Sequence, residues 1–104
     1  MDLVDALAAM AERASRLPTP LQRLHSWLRQ GELARKRGKH NLAAAIGRGV
    51  MKQLETHSAG QFLLNERLQA LELVAQTPQD ISPELAELSL YQPQVAYRLI
   101  NQSN

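Results

Sequence analysis

The sequence predicts an all-α fold, a compact bundle of five or six short helices in a single domain spanning residues 1–104. Three observations carry that expectation. Apolar residues recur at steps of three and four, which lays them along one side of a helix, as in Leu3, Leu7, Met10, Ala14 and Leu17. No stretch alternates apolar and polar residues with the β-branched enrichment of a strand. Several segments also open on a cap residue followed by proline, the signature of a helix start.

Taken in order, the first helix covers about 2–16, with Asp2 and Asp5 in the first turn, where the helix dipole favours negative charge. Pro18 and Pro20 then interrupt the chain, and Thr19-Pro20-Leu21-Gln22 reads as a capping box opening a second helix over about 20–37. Leu21, Leu24 and Leu28 form its inner stripe, with Trp27 on the flank. Arg35 would return to that stripe at 100° per residue, so the buried part is expected to end by about Gly31 and the basic end to be exposed. Gly38 as C-cap and Asn41 as N-cap make residues 38–41 a tight turn.

A third helix, about 41–56, places Leu42, Ile46, Val50 and Leu54 on one side. Gly47 and Gly49 weaken it by about 1 kcal/mol each relative to alanine, which implies close approach of another backbone or a local irregularity. Residues 56–60 break the pattern. The fourth helix, about 61–76, is apolar around most of its circumference through Phe62, Leu63, Leu64, Leu68, Ala70, Leu71, Leu73 and Val74, as expected of a central or partner-binding helix. Ser82-Pro83 opens a fifth helix to about residue 90. Gln92-Pro93 opens a sixth to about 101, with Val95, Leu99 and Tyr97 expected inward and a frayed tail after it.

Composition bounds the chemistry. The 104 residues contain no cysteine, which removes disulfides, thiolate catalysis and cysteine-ligated zinc. Asp2 and Asp5 stand where a secretory signal would carry Lys or Arg, and the apolar run over residues 6–10 is far short of a membrane span, so a soluble, cytoplasmic protein without membrane contact is expected. His25, His40 and His57 are never three or four apart, so no metal site is expected, and no cofactor. Gly47-Arg48-Gly49 lacks the rest of a phosphate-loop pattern, Glu84 and Glu87 read as a solvated face, and no serine sits in a nucleophile elbow. An enzyme is not expected.

The net charge of +2 conceals an asymmetry. Residues 23–52 hold eight Lys/Arg against the single acid Glu32, a balance of +7, whereas residues 61–104 hold two against five, a balance of −3. Arg35, Lys36, Arg37, Lys39 and His40 cluster at the predicted turn, and Arg48 and Lys52 follow one helix later on a face turned from Ile46 and Val50. Those seven residues form a candidate surface for a sugar–phosphate backbone. Sequence-blind binding is the natural form, because the third helix opens on Leu42-Ala43-Ala44-Ala45-Ile46, which offers almost nothing to base edges beyond Asn41. DNA and RNA are not distinguished.

The expected function is therefore a non-enzymatic helical subunit of a nucleoprotein assembly, with nucleic acid and other proteins as partners. In architecture this combination is similar to the small helical subunits of CRISPR effector complexes, which line a nucleic-acid channel without catalysing anything; the likeness is one of architecture and rests on no motif. The competing expectation is an adaptor or chaperone that docks a partner through the apolar surface of the fourth and C-terminal helices.

Overall fold

The caps expected before Pro20 and Pro83 are both made. In the computed structural model, which describes residues 2–56, 63–77 and 80–102, six helices occur among those residues and no strand. They are α1 (Leu3–Ser15), α2 (Pro20–Lys36), α3 (His40–Thr56), α4 (Leu64–Val74), α5 (Pro83–Tyr91) and α6 (Pro93–Gln102). Asp2 Oδ1 accepts from the Asp5 amide at 2.8 Å to start α1. Thr19 Oγ1 accepts from the Gln22 amide at 3.2 Å while Gln22 Oε1 accepts from the Thr19 amide at 3.3 Å, completing the capping box of α2. Ser82 Oγ accepts from the Leu85 amide at 3.2 Å to start α5. The expected break at 57–60, the first residues of the fourth helix at Gln61 and Phe62, the middle of the 77–80 loop and the last two residues lie outside the described residues.

Between α2 and α3 the chain reverses in a Schellman cap. Gly38 takes φ +75°, its amide donates to the Arg35 carbonyl at 3.0 Å, and the Lys39 amide donates to the Ala34 carbonyl at 2.9 Å. The left-handed backbone at position 38 is why glycine stands there. Helix α3 begins at His40, so Lys39 occupies the N-cap position and Asn41, expected there, lies inside the first turn. The buried part of α2 runs on through Gly31 to Ala34, past its expected end.

The centre of the bundle is α3, not the helix with the widest apolar arc. Leu42, Ala43, Ala44, Ala45, Ile46, Gly47, Gly49, Val50 and Leu54 are all buried, and α2, α4, α5 and α6 pack around them. Small residues make this possible. A Cβ at Gly47 would stand 2.7 Å from the Ala70 carbonyl oxygen, and one at Gly49 would stand 2.7 Å from that of Ala86. The two glycines therefore admit α4 and α5 to backbone contact with α3, the close approach that the sequence implied.

Helix α4 docks through Ala70 and Leu73 alone among its fully buried residues. With α3 and α2 on one side only, Leu64, Leu68 and Leu71 remain 62, 50 and 43% exposed. Two further expectations change for the same reason, that a stripe has a direction but its neighbours decide whether it is covered. Leu21 is exposed at the rim of a pocket lined by Leu24, Trp27, Leu63 and Tyr91, and Leu99 faces outward while Ala96 and Ile100 are buried. Trp27, placed on the flank by its spacing, is buried; its Nε1–H donates to the Leu90 carbonyl at 3.1 Å and its ring meets Tyr91 edge-on at 5.7 Å.

The Cα radius of gyration is 12.4 Å, close to the roughly 13 Å expected for a folded chain of this length. Replacing Gly47 by alanine should add up to about 1 kcal/mol of helix propensity, yet the new Cβ would press on the Ala70 carbonyl and, at 2.9 Å, on the Val74 amide nitrogen, neither of which can rotate aside. A net loss of about 1–3 kcal/mol is expected in urea unfolding. A Gly47→Ala variant as stable as the parent would show that α3 and α4 can separate at no cost.

Candidate nucleic-acid interface

The α2–α3 turn concentrates positive charge because two helix ends with opposite needs meet there. The last turn of α2 carries Arg35 and Lys36, which suit the negative end of the helix dipole. The first turn of α3 presents the amides that no carbonyl of its own helix can satisfy, and it contains no acidic residue. Its N-cap residue, Lys39, has no side-chain acceptor to offer them. Side-chain charge and helix dipole thus favour an anion at one place.

Lys36 and Arg37 are exposed and have no ion-pair partner among the described residues. Lys39 lies with its Nζ 5.4 Å from the centre of the Tyr97 ring, a cation–π contact that fixes its long side chain against α6. Hydrogen bonding from Asn101, and then from Lys39, holds the Tyr97 phenol below its ordinary range, while the charge of Asp2 acts against that shift. His40 Nδ1 is 3.1 Å from Gln76 Oε1, which ties the start of α3 to the end of α4. Gly38, Lys39, His40, Asn41, Tyr97 and Asn101 line a small cleft of about 210 Å³ at this end of the bundle.

The other three candidate residues go elsewhere. Arg35 turns along α2 to Glu32, with Nε 3.0 Å from Oε2 and Nη2 on Oε1. That hydrogen bond, more than the charges of Arg35 and Lys36, holds the Glu32 carboxyl below its usual value. Arg48 and Lys52 sit eight and twelve residues beyond His40, about 12 and 18 Å along the axis of α3. They line a groove between α4 and α5 together with Glu55, Glu84 and Glu87, and Arg48 Nη2 is 3.9 Å from Asp80 Oδ1. The structure therefore gathers Lys36, Arg37, Lys39 and His40 at the turn and sets Arg35, Arg48 and Lys52 among acids.

Tyr97 and Asn101 are the residues of this end that sequence reasoning missed. Tyr97 was expected to face inward as an apolar body, and no pattern within α6 reveals that Lys39 will lie over it. Among the described residues no three His, Asp or Glu side chains converge as metal ligands, and no helix is long and apolar enough to cross a membrane. No protein-family model, curated protein or solved structure matches this chain.

The Tyr97 environment is open to direct titration. With Tyr91 replaced by phenylalanine, phenolate absorbance near 295 nm should report Tyr97 ionising below the ordinary tyrosine value of about 10. Removing the Asn101 hydrogen bond by Asn101→Leu should move the midpoint upward, and Lys39→Met should do so by less. Because the folded state favours the phenolate, any stability gained is complete above the ordinary value and is lost as the pH falls through the folded one. An unmoved midpoint in both variants would mean that neither side chain touches the phenol in solution.

Proposed function

We propose that this chain is a non-enzymatic helical subunit, resident in the cytoplasm, which grips a sugar–phosphate backbone without reading its sequence and does so within a larger nucleoprotein assembly. The observation that carries the reading is the meeting of Lys36, Arg37, Lys39 and His40 with the N-terminus of α3 at one end of the bundle. Phosphate oxygens are acceptors with negative charge, and every group gathered there is a donor, a cation or both. Base reading has no comparable support. Beyond Asn41 the first turns of α3 are Leu42 to Ile46, all buried, so the N-terminal part of this helix has no free face to lay in a groove.

Magnitude argues for the assembly. Three cations neutralising three phosphates give a salt slope of about −2.7, and sequence-blind binding of that kind lies near 10⁻⁴ to 10⁻⁶ M at physiological salt. Such a grip holds a nucleic acid only when other subunits share the load. Arg35, Arg48 and Lys52 are left out of the grip because each sits beside carboxylates.

Titration of labelled single- and double-stranded DNA and RNA is the direct test. Affinity should fall about 40-fold between 50 and 200 mM salt. Replacing Lys36, Arg37 and Lys39 together by alanine should abolish most of the binding and flatten the slope, with the helical circular dichroism unchanged. Absence of binding to all four probes at low salt overturns the proposal, and so does an unchanged slope in the triple variant.

A further inference from the structure

Helix α4 has a second side that the phosphate grip does not use. Leu64, Leu68 and Leu71 follow one another at four and three residues, so they stand in a single row on the helix surface. Leu71 is also one edge of the groove between α4 and α5, whose apolar lining continues through Val74, Ile81, Ala86 and Leu90. Row and groove together make one continuous apolar surface.

Its length selects the occupant. The groove encloses about 610 Å³, room for a small molecule, but such a ligand would leave Leu64 and Leu68 in water. Leu64 lies seven residues before Leu71, about 10 Å away along the axis of α4. A helix of about three turns laid beside α4 spans that length and still reaches the groove.

Charge then specifies the helix. Arg48 and Lys52 are one turn apart on α3 and both line the groove. Arg48 Nε is buried without a hydrogen-bond partner among the described residues. The nearest carboxylate, Asp80, is 98% exposed and 3.9 Å from Nη2, too far to satisfy the guanidinium. A guanidinium whose Nε is buried without a partner is a site for a carboxylate. From α5 the groove is lined by Glu84 and Glu87, both exposed, and α3 adds Glu55 beside its two cations.

We infer that the α4–α5 groove docks an amphipathic helix of a partner protein, whose apolar stripe covers Leu64, Leu68 and Leu71. Two carboxylates one turn apart reach Arg48 and Lys52, and a basic flank faces Glu84 and Glu87. The surface is separate from the α2–α3 turn, so the inference stands or falls without the phosphate grip.

Three designed helical peptides of about four turns test it by fluorescence anisotropy against the intact chain. All carry the same leucine stripe. The first has glutamates four apart on one flank and lysines on the other, the second exchanges the two charges, and the third replaces both by glutamine. The first should bind about tenfold tighter than the second. Leu68→Gln, a change at an exposed position, should weaken the first peptide about tenfold while leaving affinity for nucleic acid unchanged, and Lys52→Glu should shift preference toward the second. Equal affinity for all three peptides, or no binding of the first, overturns the inference. Concentration-dependent dimers of the chain that Leu68→Gln dissolves would assign the surface to a second copy. Displacement of the first peptide by a medium-chain fatty acid would assign the groove to an amphiphilic carboxylate, and either result also overturns it.

Discussion

Backbone contact along α3 is the constraint from which the remaining geometry follows. Gly47 and Gly49 are two residues apart, so they open on different sides of the helix, one against the Ala70–Val74 segment of α4 and the other against Ala86 and Leu90 of α5. A methyl group at either position would press on a backbone carbonyl oxygen, that of Ala70 or of Ala86, which cannot rotate aside. Ala43, Ala44 and Ala45 keep the preceding turn equally slim. Only with α3 this thin can one short chain surround a helix with four others and bury it. The glycines weaken α3 as an isolated helix, and close packing compensates in the bundle.

From that arrangement come both candidate surfaces. With α4 and α5 pulled onto α3, a cleft remains between them, lined from α3 by Arg48, Gly49 and Lys52. The turn at the other end of the same helix is left projecting, because the Schellman cap closes on the carbonyls of Ala34 and Arg35 and needs nothing from the rest of the bundle. The charge excess of residues 23–52 is thereby divided. One portion is solvated at the tip, and another is held among carboxylates, where its field is largely cancelled at a distance.

Much of this was legible in sequence, and for a definable reason. The caps at Thr19 and Ser82, the left-handed glycine at 38 and the helical periodicity are all local: each is decided by residues within four positions of one another. The close approach at Gly47 and Gly49 was also legible, since two such residues inside a strong helix need a neighbour to explain them. What escaped were relations across long separations. That α3 rather than α4 is central, that Leu21 and Leu99 face water, that Lys39 lies over Tyr97 and that Arg48 points toward Asp80 each depend on which helix arrives beside which. A stripe shows that a helix has an apolar side; it does not say how much of that side will find company. The apparent unity of the seven basic residues failed for the same reason, because the acids that separate them belong to other helices or, like Glu32 beside Arg35, required a rotamer to reveal.

The junction of α2 and α5 gives the molecule an internal optical reporter. Trp27 is the chain's single tryptophan, and it is fixed to α5 by the bond from its indole nitrogen to the Leu90 carbonyl and by the edge contact with Tyr91. Its emission colour and quenching therefore follow one event, the seating of α5. That helix is also one wall of the groove, so native fluorescence distinguishes a bundle whose groove is built from one in which α5 has come away, without a label and without disturbing the basic end.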